Sequence, residues 1–201
     1  MICSTAQLCA FLRPHVRAFS VRTAWACAAA TDGVRPTWLS DAELSRLRRR
    51  LDTSSASPGL WQVRLAALTR HRLLFRVGAE QLEALPADPQ VACTGMSAVA
   101  AGSDPRVGSG PAAVWVRTAD DLTDRGQAYG LLPAESGNLT VSSAGAPQVP
   151  WLGGSDGDAL RLVVAADLLS VADARSRRTG RELLSAAVTA RSWRSLPPAP
   201  R

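Results

Sequence analysis

The chain has 201 residues, of which 23 are basic and 17 acidic, with 46% hydrophobic residues and four cysteines. That length and apolar content suit one globular domain or two small lobes, and can bury enough surface that neither disulfides nor a metal is needed to hold the fold. No run of 18 apolar residues exists, which excludes a spanning helix of the usual length. Every basic residue is an arginine, while Ile, Tyr and Asn occur once each. A GC-rich gene explains that bias more simply than phosphate recognition does. The physical result is still a permanently cationic surface.

Residues 1–31 carry no acid but hold Arg13, Arg17 and Arg22 among serines and threonines. This composition has two readings. It suits a transit peptide leading to the mitochondrial matrix. It equally suits a cytoplasmic protein whose residues 16–28 alternate as a first strand, with Val16, Ala18, Val21 and Trp25 inward, and the strand is the preferred expectation. Cys3, Cys9, Cys27 and Cys93 form no C-x-x-C pair and have no His at ligand spacing, so buried thiols are expected rather than a zinc or redox site.

Ser40-Asp41-Ala42-Glu43 has the capping-box pattern, which predicts a helix with Leu44, Leu47 and Leu51 on one face and Arg46, Arg48, Arg49 and Arg50 on the solvated remainder. Leu60 to Leu85 reads as mostly helical, broken at Gly78, with His71 at the surface. Residues 91–111, within a longer Pro/Gly/Ser-rich stretch beginning at 86, read as a linker. Beyond it, Ala113–Arg117, Ala128–Leu132 and Leu139–Ser142 are strand candidates. Ser155 to Asp158 is expected to cap a helix over 159–174, with Leu160, Val163, Val164, Leu168 and Val171 buried. Thr179 to Glu182 repeats the capping-box pattern before a last helix. The expected organisation is an N-terminal Arg-rich lobe (1–90), the linker (91–111), a C-terminal lobe (112–196) and a loose tail (197–201). The fold class is α+β.

Several chemistries are absent as motifs. Without lysine there is no phosphate loop of the G-x-x-x-x-G-K-[ST] type, and neither G-x-S-x-G nor H-E-x-x-H occurs.

The segments TAWACA around Trp25, LSDAELSRLRRR (39–50) and RLAALTRHRLLFRVGAEQLEALPADPQVACTG (64–95) together resemble the Arg-rich N-terminal half of the single-chain 4′-phosphopantetheinyl transferases. The likeness covers roughly residues 20–95. It implies two similar lobes, each a short antiparallel sheet packed by a helix, and transfer of phosphopantetheine from coenzyme A to an acidic carrier protein with Mg²⁺. Arg64 and Arg70 would then bind the cofactor, and Asp167 would be the catalytic and metal-binding acid. The second half departs from that pattern. Gly137-Asn138-Leu139-Thr140-Val141 stands where the family's metal-binding strand has two acids, and only Asp167 survives from its Lys-Glu-Ala helix, at the Glu position. Since Mg²⁺ needs hard oxygen ligands, the resemblance implies a diverged or degenerate site. Coenzyme A and Mg²⁺ are the expected cofactors if activity survives, and none otherwise. The alternative is a non-enzymatic basic interaction protein whose helix at 41–51 docks an acidic partner. Neither reading calls for a membrane or a nucleic acid.

Overall fold

The computed structural model describes residues 17–53, 57–69, 72–88, 91–101, 112–116, 124, 126–143 and 160–197. The fold is α+β, with helices packed on one mixed sheet.

Helix α1 (Val21–Thr31) replaces the strand expected at 16–28. Ser20 caps it by accepting from the Thr23 amide at 3.3 Å, and five of its eleven residues are alanine, the strongest helix former. Every residue from Ala24 to Thr31 is buried, so no polar face marks a helical period. The helix turns out through Gly33, whose φ of 76° suits glycine, and Asp32 reaches across to the Arg161 amide at 2.8 Å. That carboxylate therefore caps a helix starting 129 residues later.

Helix α2 (Asp41–Asp52) has the full capping box: the Ser40 hydroxyl accepts from the Glu43 amide at 3.3 Å, and the Glu43 carboxylate accepts from the Ser40 amide at 2.8 Å. Leu44, Leu47 and Leu51 are buried, as their spacing predicts. Helix α3 (Pro58–Leu65) follows and ends in a 3₁₀ turn, Ala66–Thr69. The helical pattern expected from Leu60 does not reach Gly78, because Arg72–Arg76 is strand β1, whereas the break at Gly78 and a short helix after it, α4 (Ala79–Ala84), are as expected. Pairing with neighbours on both sides outweighs the local helical pattern of RLLFR.

Strand β2 (Val91–Thr94) and helix α5 (Gly95–Ala101) lie inside the stretch read as linker. Strands β3 (Ala112–Val116), β4 (Leu132–Pro133) and β5 (Leu139–Ser143) complete a sheet of order β2-β3-β5-β1-β4, in which β3 and β5 are parallel and the other pairs antiparallel. Of the strand expected at 128–132, only Leu132 is extended. Among the described residues both halves of the chain contribute to one sheet, and the separate sheet expected for each lobe is not seen there. A pair of short strands alone buries too little to be stable, and joining the halves removes that deficit.

Two features fix the register between β1 and β5. A Cβ on Gly137 would stand 2.1 Å from the Phe75 carbonyl oxygen, so only glycine allows this approach. Beside it, Asn138 mimics a backbone rung, donating to the Val77 carbonyl and accepting from the Val77 amide, both at 2.9 Å. Residues alternate across the sheet: Ala92 and Trp115 join the core formed with α1, α2 and α3, while Val91, Val114, Val116, Phe75, Leu139 and Val141 form a second core with Leu85 and Leu131.

The chain closes with α6 (Arg161–Ser170) and α7 (Ala174–Ala190). Leu160, Val163, Val164 and Leu168 are buried as expected, but Val171 is exposed beyond the end of α6. Helix α7 begins at Asp173, which accepts from the Ser176 amide at 2.7 Å, six residues before the Thr179 start that was expected. Gly180 lies within α7, where its missing side chain lets α6 approach: a Cβ there would be 3.0 Å from that of Leu168 and 3.1 Å from the Ala165 oxygen. Pro198 to Arg201, most of the expected loose tail, lie outside the described residues.

Candidate functional site

Asp167 sits in the seam between α6 and the sheet, 4% exposed, and is not the solvent-facing helix residue that an isolated acid in VVAADLLS suggests. Its carboxylate is ringed by donors from three strands. Arg72 of β1 pairs with Oδ1, while Oδ2 accepts from Thr94 Oγ1 of β2 at 2.6 Å and from Trp115 Nε1 of β3 at 2.7 Å. Trp115 is itself fixed edge-to-face against Trp25 of α1, with ring centroids 5.4 Å apart. Ser170 accepts from Arg72 and donates to the Asp167 carbonyl at 2.6 Å. Burial raises the Asp167 pKa, opposed by the Arg72 charge and the hydrogen bonds from Thr94 and Trp115.

This donor set does not fit Mg²⁺. A divalent cation needs oxygen lone pairs facing it, and here they face a guanidinium, a hydroxyl hydrogen and an indole N–H. Among the described residues no group of three or more His, Cys, Asp or Glu could hold a metal ion. Leu139 and Val141, which the resemblance sets against two acids, are buried core residues of β5. The arrangement ties a helix to three strands.

Arg64, expected at the cofactor, lies on α3 with its guanidinium over the Phe19 ring (5.4 Å to the centroid) and the Trp61 ring (5.6 Å). Burial lowers its pKa. The structure thus sets Arg64 in an aromatic stack and Asp167 in the helix–sheet seam. Arg70 and His71 lie outside the described residues. Cys27 and Cys93 are buried and form no disulfide, and burial pushes the Cys27 thiol up to about 12, far from a reactive thiolate. Cys3 and Cys9 are likewise outside the described residues.

The arginine run of α2 divides in two. Arg48 turns inward, its Nε donating to the Trp193 carbonyl at 3.1 Å, and Asp52 accepts from Trp193 Nε1 at 3.1 Å and from Arg194 at 2.9 Å. These bonds dock the end of α2 on the 3₁₀ turn Ser192–Ser195. They also leave Arg46, Arg49 and Arg50 outward at i, i+3 and i+4 on one face. Two adjoining depressions share Arg46 and Arg50. One is completed by Arg49 and Thr53, the other by Arg22, Thr23 and Glu43. Glu43 neutralises Arg22 at 2.6 Å, and among the described residues neither Arg46 nor Arg49 forms an ion pair. A separate apolar recess, lined by Trp61, Gln62, Leu65, Ala166, Leu169 and Ser170, flanks the Asp167 seam.

The capping box and the leucine spacing reveal the arginine face in the sequence. Nothing local reveals the partners of Asp167, which lie 52 to 95 residues away. Compared with known protein families, with curated proteins and with solved structures, the chain matches none of them.

Proposed function

We propose that this chain is a non-enzymatic interaction protein that docks an acidic partner on the arginine face of α2. The observation that carries this reading is the outward presentation of Arg46, Arg49 and Arg50, with Arg48 and Asp52 spent on anchoring the helix. Three cationic side chains within two helical turns make a local positive potential that attracts polyanions and speeds their encounter. One observation supports docking over phosphopantetheine transfer: the Asp167 carboxylate is held by internal donors.

The test is a fluorescence-anisotropy titration of two labelled polyanions at low salt, poly-L-glutamate and a short DNA duplex, with the native protein and with R46Q/R49Q. At least one polyanion should bind, and the variant should weaken that binding about tenfold, because two exposed charge contacts contribute somewhat under about 1 kcal/mol each. Binding of neither polyanion, or equal binding by the variant, contradicts the proposal.

A further inference from the structure

The composition of this face says more about the partner than its charge does. A protein–protein interface normally centres on aromatic or aliphatic side chains that become fully desolvated, with charges at the rim. The strip on α2 has no such centre: Leu47 is buried beneath it, Leu39 is only partly exposed, and its outer surface is guanidinium. Among the described residues, the exposed large hydrophobic side chains lie elsewhere. Leu73, Leu74 and Leu132 are on strands β1 and β4, while Val34, Val63 and Val171 line neither depression. A protein partner would therefore meet charge without an apolar anchor.

A nucleic-acid backbone needs no anchor. Its phosphates are recognised by arginine forks through charge-assisted, bidentate hydrogen bonds, and the release of condensed counterions drives association. The strip is open and follows an exposed helix face, which suits a rod of regularly spaced charge. Its acid, Glu43, is already committed to Arg22 and the Ser40 amide, so the charged groups left outward are guanidiniums on one short helix face, which evenly spaced phosphates engage whatever the base sequence. We infer, resting on the docking reading above, that the partner of the α2 arginine face is the phosphate backbone of a nucleic-acid duplex, bound without regard to base sequence. Arg46 and Arg49 each neutralise a phosphate, and Arg50 lines both depressions together with Arg46.

The experiment measures the affinity of the full chain for two DNA duplexes of unrelated sequence across a series of salt concentrations, with poly-L-glutamate of similar charge in parallel. Circular dichroism checks that R46Q/R49Q, altered at two exposed positions, keeps the native fold. The expected result has four parts: the two duplexes bind alike, both bind more tightly than poly-L-glutamate, log affinity falls linearly with log salt, and R46Q/R49Q reduces the magnitude of that slope by about two. Binding of poly-L-glutamate without binding of duplex overturns this inference and leaves the docking reading standing. Binding of neither overturns both. Duplex binding whose slope is unchanged in R46Q/R49Q, or strong preference for one duplex, overturns the inference by placing recognition elsewhere or in the bases.

Discussion

Replacing Asp167 by alanine should be among the most damaging single changes in the described core. The carboxylate is 4% exposed and accepts from Arg72, Thr94 and Trp115, so its loss strands one guanidinium, one hydroxyl and one indole N–H in a region from which water is largely excluded. Breaking a buried pair by removing one partner typically costs about 3 to 5 kcal/mol, mainly from the uncompensated charge left behind. Set against a total stability of about 5 to 15 kcal/mol, that loss is a large fraction. Removing both charges should be milder. In R72L/D167L the neutral Thr94 and Trp115 donors remain unsatisfied, at about 1 to 3 kcal/mol each, but no charge is stranded, so the double variant should lose less than D167A. Urea unfolding of the native chain, D167A and R72L/D167L measures both quantities, and the non-additivity isolates the pair. A loss below about 1 kcal/mol for D167A, or a double variant as damaged as the two single changes summed, would refute the view of Asp167 as the tie between α6 and the sheet.

Other consequences are as specific. Ser40→Ala removes the acceptor for the Glu43 amide and should cost about 1 kcal/mol, read as a lower denaturation midpoint. Glu43, held down to about 2 chiefly by its hydrogen bond from Arg22 and then by the Ser40 amide, should titrate near there by NMR and rise towards its ordinary value in an Arg22→Gln variant, without reaching it because the residue 40 amide still donates. Because the folded value is the lower one, this contribution is complete above the usual glutamate range near 4.5 and is lost as pH falls towards 2. Gly137→Ala places a methyl 2.1 Å from the Phe75 oxygen and should lower the thermal midpoint sharply, whereas Gly59→Ala, with nothing within 4 Å of the new Cβ, should not.

What the sequence made legible follows from the range of the forces involved. Helix α2 is readable because its cap and its leucine period are local, and β3 and β5 because short apolar runs between turn residues have few other uses. Helix α1 is hidden by its own burial: with Ala24 to Thr31 all inside, polarity has no period, and TAWACA can be read as alternation. Strand β1 carries arginines at both ends and gains its identity only from β4 and β5, 56 or more residues later. Strand β2 sits in a Pro- and Gly-rich stretch and is defined by pairing with β3. The start of α7 is obscured because Thr179 to Glu182 copies a capping box inside the helix, while Gly180 serves close packing against Leu168. Asp167 was legible as an unusual acid in an apolar helix. Its partners were not, because each is brought in by a different strand.

The most direct test of the account is to map binding on the protein itself, by following backbone amide NMR signals while a short DNA duplex is added, and separately while coenzyme A with Mg²⁺ is added. The account predicts that the duplex shifts signals of residues 46–53 and of Arg22 and Thr23, which border the two depressions, and leaves those around Asp167 and the apolar recess at Trp61 and Leu169 in place. Coenzyme A with Mg²⁺ that moves the signals of Thr94, Trp115 and Asp167, with the α2 face silent towards the duplex, would contradict it.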